Sequence, residues 1–285
     1  MIPFTKAHAC GNDFLIITEE AAKGYDKVEL TQRLCDRNTG VGADGIEFFE
    51  WTGEANNSGG RIRLYNSDGS VAEISGNGTR CVAAWMAEEL NSQAGDELSI
   101  ETDAGVRICE IDDFRDSENG GPTVLVTTDM AVPEFEEQEV ELADGTVIEG
   151  VFVDMGNPHF VILLETPESE GFYIEGRSWE EVGEEICFHP DFPEQTNVEF
   201  VRILGSTAEP LNQVALRIFE RGVGPTTSSG TGTSATGTAM IGVYGAISPL
   251  EVASPGGVQT VEWDGPETNL YLTGPAALIC RGEAW

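Results

Sequence analysis

Short runs in which apolar and polar residues alternate, or apolar residues cluster between turn formers, recur along the chain. In the first half they are DFLIIT from Asp13, IEFFEW from Ile46, RIRLYN from Arg61, LSIETD from Leu98, VRICEI from Val106 and TVLVTT from Thr123. Such β-branched or alternating segments, bounded by Gly, Asn and Asp, predict strands. The second half continues with VIEGVFVDM from Val147, HFVILLE from His159, VEFVRIL from Val198 and VALRIFE from Val214. Two segments break the pattern. Val82, Met86 and Leu90 stand at i, i+4 and i+8, which predicts a helix with one apolar face and Glu88 and Glu89 outside. TGTSATGTAMIGVYGAI, from Thr231, is small and apolar nearly all round and predicts a helix buried on most sides. The acidic stretch PEFEEQEVELADG, near 133–145, reads as an exposed connection or edge.

The pattern is written twice. GNDFLII from Gly11 returns as GNPHFVILL from Gly156, and GIEFFE from Gly45 as NVEFVRI from Asn197. RLYNSDGSVAEISGNGT from Arg63 returns as RIFERGVGPTTSSGTGT from Arg217. The order is kept at offsets of 145, 152 and 154 residues, so the expectation is an internal duplication. It predicts an α+β protein of two pseudo-symmetric domains, each a mixed, mostly antiparallel sheet or barrel wrapped around a central helix. The expected bounds are 1–128 and 129–273, with a final strand near 274–285 that could return to the first domain.

Charge alters the picture. Fifteen basic residues against 50 acidic ones give a net charge of −35. With no basic stripe to displace counterions, a nucleic-acid partner is disfavoured, and so is an anionic membrane. A solvated acidic surface suited to a salt-rich, halophilic cytoplasm is the plainer reading. No apolar run approaches the ~20 residues that span a bilayer, and Asn12 and Asp13 interrupt any signal-peptide core, so the expectation is a cytoplasmic protein. Six scattered cysteines without C-x-x-C, and three dispersed histidines, predict reduced thiols and no metal site.

The chemistry sits at ISGNGTRC, from Ile74, and SSGTGTSA, from Ser228. Each carries a serine followed by Gly-x-Gly-Thr where strands feed a helix. An isolated copy is most simply a serine N-cap. Two copies in related domains allow a sharper reading. Helix-start amides bind carboxylates, and two such starts could converge on one carboxylate with Ser75 and Ser229 on either side. Inverting a stereocentre without a cofactor needs a base on one face of the carbon and an acid on the other. Developing charge on the adjacent carboxylate would be stabilised by the fixed N–H dipoles. A serine hydrolase is a weaker reading, because Gly-x-Ser-x-Gly is absent. A phosphate loop would need a lysine.

KAHACGNDF, DRNTGVGADGIEFFE, IRLYNSDGSVAEISGNGTRC, VDMGNPHFVI, FPEQTNVEFV, RIFERGVGPTTSSGTGT and LTGPA, taken together and in order, resemble the diaminopimelate epimerase family over almost the whole length. The resemblance implies a cofactor-independent isomerase that interconverts LL- and meso-diaminopimelate in lysine biosynthesis, acting on a small amino-acid substrate. It implies that Asn12, Asn66, Asn157, Asn197 and Arg221 hold the far carboxylate and ammonium end, with Glu220 assisting. The amides of Gly76, Asn77, Gly230 and Thr231 would hold the reacting carboxylate. Turn stabilisation is the plain alternative for any one of the asparagines. His159 is read as a core or turn histidine with a supporting role at most. A homodimer is left open.

Three departures from that family stand out. Its two catalytic positions are cysteines, and here they are Ser75 and Ser229. Pro225 stands where the family carries an acid, and Ala9 where it carries glycine. A serine hydroxyl is a far weaker acid than a thiol and needs an adjacent base. No lysine or histidine is an obvious activator, and Cys81, on the helix itself, is no simple substitute. Three readings therefore stay open: an epimerase with cysteine exchanged for serine, a divergent epimerase or lyase for another amino acid, and a non-catalytic amino-acid binding protein.

Overall fold

In the computed structural model, which describes residues 1–52, 59–115, 121–164, 171–204 and 210–285, the chain divides into two units. One comprises Met1–Asp129 with Thr273–Trp285, the other Met130–Leu272. The first runs β1 (Ile2–Ala9), β2 (Asn12–Thr18), α1 (Lys27–Cys35), β3 (Gly45–Trp51), β4 (Gly59–Asn66), β5 (Val71–Ala72), α2 (Gly76–Leu90), β6 (Glu97–Thr102), β7 (Gly105–Arg115) and β8 (Thr123–Asp129). The second runs β9 (Glu134–Glu141), β10 (Val147–Asp154), β11 (Pro158–Leu163), β12 (Tyr173–Ile174), β13 (Arg177–Ser178), α3 (Trp179–Cys187), β14 (Asn197–Ile203), β15 (Gln213–Glu220), β16 (Gly224–Thr226), α4 (Gly230–Gly242), β17 (Leu250–Ser254) and β18 (Gly257–Glu262). Last comes β19 (Tyr271–Ala284), which from Thr273 onward belongs to the first unit.

In the first unit β1, β2, β3, β4, β6, β7 and β8 pair in that order, and β19 joins β8 to β1, closing an eight-stranded barrel. The β2–β3 and β4–β6 contacts are parallel. Parallel neighbours require a crossover, and α1 and α2 supply the two needed here. The second unit repeats the scheme as β9–β10–β11–β14–β15–β17–β18, parallel at β11–β14 and β15–β17, where α3 and α4 cross. The registers match as well: Phe14 faces Gly45 as His159 faces Asn197.

Each unit buries both faces of its parallel strands. Phe14, Ile16, Phe49 and Leu64 pack inward on α2, while Leu15, Ile17, Ile46, Phe48 and Tyr65 pack outward with Leu30 and Leu34 of α1. In the second unit Val161 and Val201 face inward with the buried residues of α4, and Phe160, Ile162, Val198 and Phe200 outward with Val182 and Ile186 of α3.

Local expectations are met in part. The α2 segment was expected to show one apolar face, but every residue from Gly76 to Ala87 is buried, because the barrel closes around it. Each unit holds a second helix outside its central one. Asp26 caps α1 by accepting from Glu29 N, and a Ser178/Glu181 capping box starts α3, a local signal legible in SWEE. The acidic stretch near 133–145, expected as an exposed connection or edge, is largely the edge strand β9, mostly exposed and paired among the described residues with β10.

The α4 helix is buried although it is rich in hydroxyls. Thr233, Ser234, Thr236 and Thr238 each donate to the carbonyl four residues earlier, so they carry their own partners into the core. No helix among the described residues is long and apolar enough to cross a membrane.

Candidate active site

Both serines cap their helices. Ser75 is extended (φ −130°, ψ 119°) and its Oγ accepts from Gly78 N at 3.1 Å; Ser229 is extended (φ −138°, ψ 133°) and its Oγ accepts from Gly232 N at 3.2 Å. Both serines are half-buried. Neither helix has an acidic residue in its first turn, so the positive ends are not neutralised from within. Gly76 and Asn77 on α2, and Gly230 and Thr231 on α4, occupy the first two helical positions, where amides have no intrahelical acceptor. This is a geometry that can grip a carboxylate.

The second glycine of each turn has a reason the sequence did not show. A Cβ on Gly78 would lie 2.1 Å from Oε1 of Glu47, and one on Gly232 would lie 2.8 Å from Oε1 of Glu199. These glutamates occupy matching places on the inner faces of β3 and β14, facing Ile16 and Val161 in register, and both are fully buried. A buried carboxyl therefore lies directly against the first turn of each central helix.

Their surroundings differ. His159 Nδ1 lies 2.7 Å from Glu199 Oε1, and its Nε2 lies 3.1 Å from Asn157 Oδ1. Burial raises the Glu199 carboxyl and the His159 contact partly offsets it. Glu47 has no hydrogen-bond partner among the described residues, and burial alone pushes it up to about 8.

The other expected ligands fall into a cluster in each unit. In the second, Asn197 donates from Nδ2 to Pro158 O at 2.9 Å and accepts at Oδ1 from Arg221 N at 3.0 Å. The exposed Arg221 guanidinium donates to Glu194 O at 3.0 Å. Glu220, at the end of β15, accepts from Thr226 Oγ1 at 3.1 Å, and the Ser229 hydroxyl also faces its carboxyl. Burial pushes Glu220 up to about 7, with Thr226 and Ser229 favouring the ionised form and the Glu199 charge opposing it. A carboxyl thus stands beside Ser229, where the sequence offered no lysine or histidine. Pro225 lies on the short β16, opposite Phe219, with no ladder donor of its own.

In the first unit Asn12 donates to Asp44 at 2.7 Å and accepts from Asn77 Nδ2 at 3.3 Å. Asn77 Oδ1 in turn accepts from the fully buried Arg80. Arg37 bridges Asp13 and Asp44 at 2.7 Å to each, and Lys6 lies 2.9 Å from Asp13. Burial opposes the Asp13 charge, but these two cations outweigh it and hold the carboxyl below its usual range. Asn66 donates from Nδ2 to Ser70 Oγ at 3.0 Å.

The burial of Glu47 and Glu199 was not anticipated, and His159, read as a core or turn histidine, is a core residue paired with Glu199. The one available signal was the alternation in GIEFFE and NVEFVRI, which puts a charge on an inward-facing position. Cys81 is fully buried and burial drives its thiol far upward, so it is inert. No group of three or more His, Cys, Asp or Glu among the described residues is arranged for a metal.

The chain belongs to the diaminopimelate epimerase family, whose sequence profile matches residues 4–132 and again 151–279, once in each half. It is 36% identical to a diaminopimelate epimerase of Thermosynechococcus vestitus, over 99% of this chain and 98% of that one. It is 34% identical to the chloroplastic enzyme of Oryza sativa subsp. japonica, over 99% of this chain and 79% of that one. Among solved structures the fold is similar to a probable proline racemase from Agrobacterium radiobacter, with a TM-score of 0.68, 15% identity and coverage of 100% and 93% of the two chains. A phenazine biosynthesis protein from Bacillus anthracis matches with a TM-score of 0.69, 16% identity and coverage of 100% and 99%.

Proposed function

We propose that this chain epimerises the α-carbon of diaminopimelate, interconverting the LL and meso forms for lysine synthesis, with no cofactor and in a salt-rich cytoplasm. Ser75 and Ser229 act as the proton-transfer groups. The reaction needs an acceptor and a donor on opposite faces of Cα, and the chain carries one helix-start serine in each unit to fill those roles. The amides of Gly76, Asn77, Gly230 and Thr231 grip the carboxylate beside the reacting carbon. Charge that develops there as the proton leaves is stabilised by dipoles already in place. Asn12, Asn66, Asn157, Asn197 and Arg221 are assigned to the distal carboxylate and ammonium group.

The observation that carries this reading is the duplicated helix start, a half-buried serine cap beside two first-turn amides in each unit, with the Glu220 carboxyl held by Thr226, three residues before Ser229. A serine cannot trade protons near neutrality unaided, and a carboxyl poised at about 7 can take and return one. The capping bonds favour a second reading, amino-acid binding without turnover, since both Oγ atoms are engaged by helix amides.

Incubation with LL-diaminopimelate in deuterated buffer separates the two. Turnover introduces deuterium at the inverted Cα, and S75A, S229A and E220Q each reduce it by roughly 10²-fold or more. Saturable binding with no deuterium uptake, in the wild type and in the S75C/S229C variant alike, leaves only the binding reading.

A further inference from the structure

We propose that Arg80 is a positioning residue for substrate recognition: from inside the first unit it fixes, through Asn77, which way the side-chain amide of Asn12 faces. The inference rests on the diaminopimelate reading above, in which Asn12 meets the distal end of the substrate. It holds whether or not the bound molecule is turned over.

The relay is a line of hydrogen bonds running out from the core. A terminal nitrogen of Arg80 donates to Asn77 Oδ1, Asn77 Nδ2 donates to Asn12 Oδ1 at 3.3 Å, and Asn12 Nδ2 donates to Asp44 Oδ2 at 2.7 Å. The two ends set its direction, because a guanidinium has only donors and a carboxylate only acceptors. Turning the Asn77 amide over would set its Nδ2 against Arg80. Turning Asn12 over would set its Oδ1 against Asp44. Asp44 is held in its turn by Arg37 at 2.7 Å and by the backbone amide of Asp13 at 3.1 Å. One Nδ2 hydrogen of Asn12 is thereby committed to Asp44, and the second remains as a donor for a ligand. A donor there suits a carboxylate.

The fold itself does not call for this guanidinium. Arg80 and Asn77 are both buried, and burial disfavours the Arg80 charge. The duplication supplies the comparison. In the second unit the residue five positions after the capping serine is Ser234, whose hydroxyl donates to Gly230 O at 3.0 Å. Thr231 stands where the first unit has Asn77, and its hydroxyl lies 3.4 Å from Ser229 Oγ. A central helix of the same design is therefore buried with no cation at that place. The guanidinium in the first unit answers to Asn77 rather than to packing.

Orientation matters because the two ends of an asparagine amide have nearly the same shape and opposite chemistry. Held as it is, Asn12 offers a donor. Released from Asn77, its amide is free to turn and offer Oδ1, which an anion repels. Arg80 does not itself meet the substrate. It acts on affinity for the part of the ligand that Asn12 meets, and every bond it needs lies within the first unit.

Calorimetric titration with LL- and meso-diaminopimelate tests this on the wild type, R80M, N12A, R80M/N12A and R80K. R80M and N12A are each expected to weaken binding about tenfold. With Asn12 gone there is nothing left to orient, so R80M/N12A should bind within about threefold of N12A. Lysine keeps a charged donor, and R80K should bind within about threefold of the wild type. If R80M does not fold, N77L and N77L/N12A make the same comparison one step along, because leucine donates nothing. R80M or N77L that binds like the wild type overturns the proposal, as do losses that multiply in the double variant. R80K as weak as R80M would assign the loss to packing and overturn it too. Each of these results leaves the diaminopimelate reading standing. A wild type that binds neither stereoisomer overturns that reading, and the proposal falls with it.

Discussion

His159 Nδ1 lies 2.7 Å from Glu199 Oε1 with both side chains fully buried, while the matching positions of the first unit, Phe14 and Glu47, form no such pair. Removing one partner of a buried pair leaves the other uncompensated, at a cost of about 3–5 kcal/mol. H159F is expected to lower stability by that order. H159F/E199L, which removes both polar partners, should recover most of the loss. Guanidinium unfolding midpoints check this; a double variant no more stable than H159F would contradict it.

Glu47 makes stability depend on pH in a calculable direction. Its carboxyl is raised from 4.5 to about 8 in the folded chain. Between those values the folded state holds a proton that the unfolded state has released, so stability falls as pH rises from about 4.5 to 8 and then levels off. At 1.36 kcal/mol per unit the full effect is on the order of 5 kcal/mol. Unfolding curves of E47Q subtracted from those of the wild type should isolate this slope between pH 5 and 8.5. Parallel curves across that window would refute it.

Gly78 tests the same contact from the other side. A methyl group there must displace Glu47, so G78A should cost about 1–3 kcal/mol through overpacking. The cost should shrink in G78A/E47A, where the obstructing carboxyl is gone. At Gly232 the approach to Glu199 is looser, 2.8 Å against 2.1 Å, so G232A should cost less. Thermal melts of the three proteins rank them directly.

Capping and chemistry can be pulled apart at Ser75. S75A removes the acceptor for Gly78 N and should destabilise by about 0.5–2 kcal/mol, whereas S75G should cost only a few tenths. Both should abolish Cα deuterium exchange. An S75G protein that keeps wild-type exchange would show that the hydroxyl is a cap and nothing more.

The net charge of −35 predicts a salt requirement. Screening shortens from about 10 Å at 0.1 M salt to about 3 Å at 1 M, which relieves repulsion among surface carboxylates. The melting temperature should climb as KCl rises from 0.1 to 2 M. A flat response would mean that the acidic surface carries no such penalty.

The sequence by itself determined the duplication, the alternation of strands and the two serine-capped helix starts. These are local matters: an N-cap needs only residues i to i+3, and strand periodicity is read two residues at a time. Tertiary structure alone decided that α2 is enclosed on every side, that Glu47 and Glu199 press against the helix starts, and that only one of them meets a histidine. Those outcomes depend on pairing partners 31 to 40 residues away, Ile16 beside Glu47, Gly78 above it and His159 beside Glu199. Burial by distant strands, more than residue type, sets whether a carboxyl is a surface charge or a proton store; the alternation in GIEFFE marks the inward position but not how completely the barrel encloses it.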